Sequence, residues 1–242
     1  LFISLGCDKN LADSEEMLGL LTGNGHEIVD SEEEADAIVI NTCCFIHDAK
    51  EESVNTILEM AEYKKTGTCK ILIVTGCMAQ RYKEEITKEI PEVDAVLGTT
   101  SYGDIVKALN EAEAGHVFQE FKDINALPED SGRRVITTGG HFGYLKIAEG
   151  CDKHCTYCII PSLRGKFRSV PEERLLKQAE YMASQGVREL ILVAQETTVY
   201  GTDLYGKKTL HILLKKLCQI KGIRWIRVLY CYPEEIYDEL IQ

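Results

Sequence analysis

The sequence predicts an α/β protein whose parallel strands are covered by helices on both faces. Short apolar runs alternate with helix-like segments from the first residue, and these runs are continuously apolar. That pattern is typical of parallel sheets with two buried faces. The alternation lapses once, at residues 121–141, among glycines, a proline and polar residues, and then resumes. We therefore expect two α/β domains joined by a linker.

The amino-terminal domain, residues 1–120, is predicted to form a Rossmann-like parallel sheet. The expected strands are residues 1–5, 35–40, 71–75 and 93–97, and the expected helices are residues 13–21, 48–65, 82–89 and 102–113. Residues 142–242 contain further strand–helix units, with strands at 144–148, 189–194 and 224–230. Such units form half of a β/α barrel or one side of an open sheet. The chain begins without Met and stops within a helical pattern, so we expect that residues are missing at both ends.

The composition argues against several classes of protein. With 39 acidic and 27 basic residues the formal charge is −12, which is unlike the basic surface of a duplex-binding module. It would suit a basic protein partner, although solubility alone also accounts for it. Residues 1–5 are too short for a signal peptide, and no apolar run approaches a membrane span. The ten cysteines lie in an α/β pattern, so we expect a reduced, cytoplasmic protein without membrane contact.

Three cysteines form the most informative motif of the second domain. Cys151, Cys155 and Cys158 have the spacing C-x3-C-x2-C. A short loop with this spacing can hold three corners of one iron–sulfur cube, but it has no fourth cysteine. A structural metal site is normally closed, whereas a reactive site keeps an open position. The motif therefore indicates chemistry at the metal.

A second group of three cysteines lies in the first domain. Cys7, Cys43 and Cys77 each come one to three residues after a predicted strand. In parallel α/β sheets, ligands bind beyond the carboxyl ends of the strands, so these thiols should converge. A single cysteine at such a position is more often a small buried hydrophobe. Three at the same topological position favour a metal site.

The remaining cysteines are predicted to be structural or remain ambiguous. Cys69 precedes its strand and so lies at the opposite end of the sheet, whereas Cys218 is expected on the buried face of a helix. Cys231 follows the third strand of the second domain and is also expected in the core. Cys44 adjoins Cys43, and successive residues leaving a strand point in opposite directions. We therefore favour Cys43 as the ligand.

Longer motifs around these cysteines resemble those of the radical S-adenosylmethionine (SAM) methylthiotransferases. The second domain contains YLKIAEGCDKHCTYCIIPSLRGKFRS and LVAQETTVYGTDLYG, and the first contains GCDKN-x2-DSE, NTC-x-FI-x-DAKEES and VTGCMAQRY. The resemblance covers essentially the whole chain, and six cysteines in two motifs make it specific. Within the family, these forms look like the branch that modifies a small-subunit ribosomal protein, not the transfer-RNA branch.

The resemblance implies two [4Fe-4S] clusters and SAM as cofactors. One cluster would be held by Cys151, Cys155 and Cys158 and the other by Cys7, Cys43 and Cys77. Tyr157 would bind SAM through its adenine or belong to the core, and Gln195 is a candidate contact to SAM or substrate. The basic residues Arg164, Lys166 and Arg168 would contact SAM or a reductant, or form a solvated turn.

The implied reaction is addition of a methylthio group to the β-carbon of an aspartate in a small-subunit ribosomal protein. The implied partners are this protein, SAM, and an electron donor such as flavodoxin or ferredoxin. Two features depart from the family: Cys44 replaces a small residue, and neither the rest of the barrel nor the carboxy-terminal TRAM domain is present. The resemblance implies that those parts contribute to the SAM pocket and to substrate docking, so we expect this chain by itself to lack full activity.

Two other functions remain open at this stage. A transfer-RNA methylthiotransferase would use the same chemistry, and its basic surface could lie in the TRAM domain. A non-catalytic metal protein, either an electron carrier or a zinc scaffold, would also contain clustered cysteines, because both zinc and iron–sulfur groups accept thiolates.

Overall fold

The structure is a computed structural model that describes residues 1–129 and 132–242. Residues 130 and 131 of the predicted linker lie outside the described residues. The chain divides into two compact units, the first comprising Leu1–Val135 with Tyr157–Arg164 and the second Ile136–Thr156 with Gly165–Gln242. The predicted linker is thus shared between the units. A segment that begins within the second cysteine motif, at Tyr157, belongs to unit 1.

Unit 1 is built on a five-stranded sheet in which all neighbouring strands are parallel. The strands follow one another across the sheet in chain order: β1 (Phe2–Ser4), β2 (Ala37–Thr42), β3 (Ile71–Gly76), β4 (Ala95–Leu97) and β5 (Phe118–Glu120). The first four were predicted. The last, β5, was not, because FQE lies outside any apolar run.

Helices cover both faces of this sheet. They are α1 (Asp8–Gly23), α2 (His47–Thr66), α3 (Cys77–Tyr82), α4 (Glu84–Glu89), α5 (Ile105–Glu113) and α6 (Ile160–Arg164). On one face, α1 and α5 pack on Val39, Ile73 and Leu97. On the other, α2, α3 and α4 pack on strand residues that include Ile38 and Leu72, and α6 contributes to the same core. The predicted parallel sheet with two buried faces is confirmed.

Helix α1 begins earlier than its sequence pattern predicts. Its first residue is Asp8, not Asp13, and Cys7 is the residue that precedes it. The first turns of α1 bury polar side chains, including Asn10, Ser14 and Glu15. A pattern of apolar residues could not locate this start, since the buried face is polar there.

Unit 2 contains a three-stranded parallel sheet and a small ribbon. The sheet has the order β10 (Trp225–Val228), β9 (Glu189–Val193), β6 (Phe142–Lys146). Helix α7 (Glu172–Ser184) precedes β9, and α8 (Thr202–Tyr205) and α9 (Leu210–Leu217) precede β10. The ribbon pairs β7 (Ala148–Glu149) with β8 (Arg168–Ser169) in antiparallel fashion. After β10 the chain forms a 3-10 turn at Pro233–Glu235 and the short helix α10 (Asp238–Ile241).

Apolar side chains from β6, β9, α7 and α9 form the core of unit 2. Leu145, Leu190, Leu192, Met182 and Leu213 are all fully buried. The strand–helix–strand order agrees with the predicted start of a β/α barrel. Among the described residues, no helix is both long and apolar enough to cross a membrane.

Candidate metal centres

The three cysteines of the first domain lie at the carboxyl edge of the sheet in unit 1. Cys7 precedes α1, Cys43 follows β2, and Cys77 is the first residue of α3. The Sγ atoms of Cys7 and Cys77 each lie 3.9 Å from one atom, Asn10 Oδ1. The two sulfurs are therefore separated by no more than twice that distance. The structure thus brings together the sulfur atoms of Cys7 and Cys77, which are far apart in the sequence.

Cys43 lies beside the same point. A Cβ atom built on Gly6, the neighbour of Cys7, would stand 2.7 Å from Cys43 Cβ and 3.1 Å from its Sγ. A side chain at position 6 would therefore collide with Cys43, and the φ of +93° at Gly6 also favours glycine. Cys43 is buried, and its backbone N–H donates to Ser53 Oγ at 3.0 Å. The three thiols share one small region.

Asn10 holds this region together, and the sequence analysis missed it. Its buried amide donates to the carbonyl oxygens of Leu5 at 3.1 Å and Thr42 at 3.0 Å. Leu5 follows β1 and Thr42 is the last residue of β2, so one side chain fixes the ends of two neighbouring strands. Its Oδ1 faces the sulfurs of Cys7 and Cys77. Its position three residues after Cys7, one helical turn along, was the available signal.

Arg164 also reaches this region. It is 2% exposed, and its guanidinium donates to Asp13 Oδ2 at 2.8 Å and to Asn10 Oδ1 at 2.7 Å. The interpretation of Arg164 as part of a solvated turn is wrong, because α6 belongs to unit 1. Burial raises the pKa of the Cys77 thiol, while the charge of Arg164 and a hydrogen bond from it oppose that rise.

Cys44 makes a different set of contacts from Cys43. Its Sγ donates to the carbonyl oxygen of Cys77 at 3.3 Å. Burial raises the pKa of Cys44 to about 11, and the neighbouring Cys77 adds to the rise. The thiol is therefore protonated at neutral pH and engaged with the backbone. These contacts support the choice of Cys43 as the ligand.

The other cysteines divide between core and surface. Cys69 is buried, as predicted. Cys218 and Cys231 are exposed, so their predicted core positions are wrong. Cys218 comes directly after the last residue of α9, and Cys231 lies beyond β10, which is an edge strand of the described sheet. All ten cysteines are free thiols.

The second cysteine motif spans the two units. Cys151 and Cys155 belong to unit 2, Cys158 belongs to unit 1, and each is half-buried. Within unit 2, the β7–β8 ribbon closes the base of the loop, and Cys151 N donates to Gly165 O at 3.1 Å. Asp152 Oδ1 accepts from Phe167 N at 3.0 Å. The loop is thereby fixed at its base.

Tyr157 and His154 are both exposed. The side chain of Tyr157 is 83% exposed in unit 1, which excludes the core role considered for it. Its ring is open to a ligand. His154 in unit 2 faces solvent.

Polar side chains of unit 2 gather at the carboxyl end of β9. Lys153 Nζ lies 3.1 Å from Glu235 Oε1, 3.8 Å from Glu196 Oε2, and 4.1 Å from the centre of the Tyr232 ring. Gln195 Oε1 is buried and accepts no hydrogen bond from the described residues. The sequence analysis identified Gln195 but missed Glu196, which is 2% exposed beside it.

The donor set fits an iron–sulfur cluster. Among the described residues, no three His, Cys, Asp or Glu side chains are gathered as they would be around one metal ion. The sulfurs around a single zinc ion lie roughly 3.8 Å apart, given Zn–S bonds of about 2.3 Å. A four-iron cluster binds each cysteine at a different iron atom, so its ligands stand farther apart. Free thiols that converge beside a buried cation are a donor set that an iron–sulfur cluster accepts.

Two family models match the chain. Residues 1–98 match the model described as "Uncharacterized protein family UPF0004", and residues 145–242 match the radical SAM superfamily. The structure of radical SAM methyltransferase TsrM from Kitasatospora setae with cobalamin and a [4Fe-4S] cluster is similar, with a TM-score of 0.58 at 13% identity. The structural similarity covers 93% of this chain and 54% of the chain of that methyltransferase. The second domain thus matches the radical SAM superfamily in sequence, and the similar structure shows a related fold.

Curated relatives are similar to this chain over nearly its whole length. The chain is 67% identical over 240 residues to ribosomal protein uS12 methylthiotransferase RimO of Lachnoclostridium phytofermentans, and 54% identical over 242 residues to that of Clostridium botulinum strain Eklund 17B. In each case 99% of this chain and 54% of the relative are covered, so the chain spans about half the length of these relatives. Over nearly its whole length the chain is therefore similar to radical SAM methylthiotransferases. This similarity implies [4Fe-4S] clusters and SAM as cofactors, as the sequence predicted.

Proposed function

We propose that this chain is the cluster-bearing part of a radical SAM methylthiotransferase that modifies the β-carbon of an aspartate in ribosomal protein uS12. The observation that carries the proposal is the convergence of Cys7, Cys43 and Cys77 in unit 1, in a chain that also has the C-x3-C-x2-C motif. The substrate is proposed because the curated relatives carry that name.

Each of the proposed domains holds one cluster. Residues 1–120 hold an auxiliary cluster through Cys7, Cys43 and Cys77, and residues 142–242 hold the radical SAM cluster through Cys151, Cys155 and Cys158, with residues 121–141 as the linker. When bound, the second cluster and SAM supply a radical able to remove hydrogen from an unactivated carbon, and the auxiliary cluster supplies sulfur. A side-chain acid or base could not remove that hydrogen at neutral pH.

The protein's own residues position and shield these groups. Asn10 fixes the ends of β1 and β2, which lead to Cys7 and Cys43, and the surrounding core excludes water. Gln195 has a buried oxygen without a donor, which suits the amino group or a hydroxyl of bound SAM. Tyr157 offers its exposed ring to the adenine. A flavodoxin or ferredoxin as electron donor and a cytoplasmic location belong to the same proposal.

Cluster content tests the first part of this proposal. We expect the anaerobically reconstituted chain to be brown, and a C151A/C155A/C158A variant to keep roughly half of its iron and sulfide, since one of two clusters is lost. A C7A/C43A/C77A variant should keep the other half. Reduction with dithionite should cleave SAM in the chain with all six cysteines but not without the C-x3-C-x2-C motif. A colourless protein that contains zinc would contradict the proposal.

The substrate is tested separately. The loaded protein, SAM and dithionite are incubated with small ribosomal subunits in one sample and with unmodified transfer RNA in another. We expect mass spectrometry to find a methylthio group on uS12 only. A methylthio group on the transfer RNA alone would replace the proposed substrate and leave the cluster assignment intact.

A further inference from the structure

We propose that Arg164 is a positioning residue of the amino-terminal thiols, which donates a hydrogen bond to Cys77 and raises the reduction potential of the cluster held there. This inference rests on the proposed function, because it assumes a cluster at Cys7, Cys43 and Cys77. Nothing in the fold requires the cation for that site to come from the segment that follows the second cysteine motif, yet the structure places it there.

The contacts of Arg164 fix its guanidinium beside the sulfurs. One nitrogen donates to Asp13 Oδ2 at 2.8 Å, and the other donates to Asn10 Oδ1 at 2.7 Å. That same oxygen is the atom that the Sγ atoms of Cys7 and Cys77 approach to 3.9 Å. Because Asn10 is itself held by Leu5 O and Thr42 O, the guanidinium has a fixed position relative to both sulfurs.

The charges around Arg164 explain why it acts on the thiols. A buried guanidinium is costly unless it is paired and hydrogen-bonded. Asp13 supplies one negative charge, and deprotonated ligand sulfurs supply more. Arg164 donates a hydrogen bond to Cys77, and its positive charge, held beside both sulfurs by Asn10, stabilises negative charge on them. Hydrogen bonds to ligand sulfurs and local charge are among the factors that set cluster potentials.

The segment that delivers Arg164 is firmly packed in unit 1. Leu163 is buried in the core beside Met78, and its carbonyl accepts from Thr99 Oγ1 at 2.8 Å. Cys158 lies on the same segment, six residues earlier. One short stretch of chain therefore carries a ligand of the radical SAM motif and the cation of the auxiliary site.

The potential of the auxiliary cluster tests this inference. The parent protein is C151A/C155A/C158A, which keeps only the amino-terminal thiols, and the readout is electron paramagnetic resonance during dithionite titration. In this one-electron reduction, the added electron makes the site more negative. We expect R164Q to lower the ratio of reduced to oxidised cluster at least tenfold at a fixed potential, a shift of about 59 mV. R164K keeps the positive charge but loses the planar guanidinium, so its cluster potential should lie between those of the parent and R164Q.

The control is K166Q, which removes an exposed positive charge two residues away. It should leave the potential at the parent value. If R164Q and R164K both load iron with the parent's potential, or if K166Q shifts it equally, the inference fails while the proposed function stands. If R164Q does not bind a cluster, the potential of R164K is compared with that of the parent, and an equal potential contradicts the inference. If neither loads while K166Q does, Arg164 is only structural and the inference fails. A parent that holds no cluster overturns the proposed function and the inference together.

Discussion

Asn10 illustrates how one side chain links local structure to the site. Both of its amide hydrogens are donated to backbone carbonyls at the ends of neighbouring strands, and its oxygen receives the guanidinium of Arg164. Alanine would leave two backbone carbonyls, of which that of Thr42 is buried, and one buried cation without this partner. Such groups cost far more unsatisfied than the hydrogen bond itself contributes. The residue thus stabilises unit 1 and sets the geometry of its thiols.

We expect N10A to lower the free energy of unfolding of unit 1 by about 2–4 kcal/mol. Urea unfolding of the apo-protein measures this loss, with hydrogen exchange in peptides from β2 and β3 as the signal. N24A is the matched control, because Asn24 also donates to a backbone carbonyl, that of Leu20 at 2.8 Å, but is exposed. A loss for N10A no larger than that for N24A would show that the buried amide is not structurally important.

The adjacent cysteines 43 and 44 should respond differently to substitution. C43A is expected to abolish loading of the amino-terminal cluster, whereas C44A should retain it, because the Cys44 thiol is engaged with the carbonyl oxygen of Cys77. Iron and sulfide analysis in the C151A/C155A/C158A background distinguishes the two. Loss of iron in C44A with retention in C43A would reverse the ligand assignment.

At the scale of elements, the β7–β8 ribbon closes the base of the loop that carries the second cysteine motif. The ribbon joins Ala148 to Ser169 and Glu149 to Arg168, so the loop between them starts and ends at one place. Gly150 lies at this base with φ +69°, and its Cα hydrogen faces the backbone of residues 165 and 166. A Cβ there would overlap the Lys166 carbonyl oxygen and lie 2.5 Å from that of Gly165. Only glycine permits this approach.

We expect G150A to destabilise unit 2 by about 1–3 kcal/mol more than G140A does, because only the first adds a collision to the backbone strain. Gly140 has a similar φ of +83° but no atom within 4 Å of its ideal Cβ, so G140A has the strain alone, about 1–2 kcal/mol. Thermal unfolding of the apo-proteins gives the difference. Equal losses for the two variants would mean that the ribbon adjusts freely.

At the scale of the whole molecule, the two units are not consecutive in sequence. Unit 2 contains residues on both sides of Tyr157–Arg164, yet that segment is part of unit 1. Its Leu163 is 1% exposed in the core that β2, β3, α2 and α3 form. The folding of unit 1 therefore depends on residues that lie beyond the start of the second motif.

We expect L163A to destabilise unit 1 by about 2–5 kcal/mol through the cavity that it leaves. Hydrogen exchange with mass spectrometry should show lost protection in β3 and none in β9. L204A is the control, because Leu204 belongs to unit 2 and is 42% exposed. Lost protection in β9 but not in β3 would contradict the division of the chain described here.

The sequence by itself determined the α/β class, most of the strands, and the two groups of cysteines. Those features leave local signals, because parallel strands are continuously apolar and C-x3-C-x2-C fits within one loop. It also placed Cys7, Cys43 and Cys77 at strand ends, from which their convergence follows by topology. Resemblance to a family then supplied cofactors and chemistry.

Only the tertiary structure decided which other residues belong to the sites. Asn10 and Arg164 are 154 residues apart and meet through a buried hydrogen bond that no periodicity encodes. Arg164 was expected in a turn because it stands among other basic residues, but α6 packs into unit 1 and buries it. The exposure of Cys218 and Cys231 was likewise set by where α9 and β10 end. Burial depends on what packs against a residue, and a linear pattern records only its neighbours in the chain.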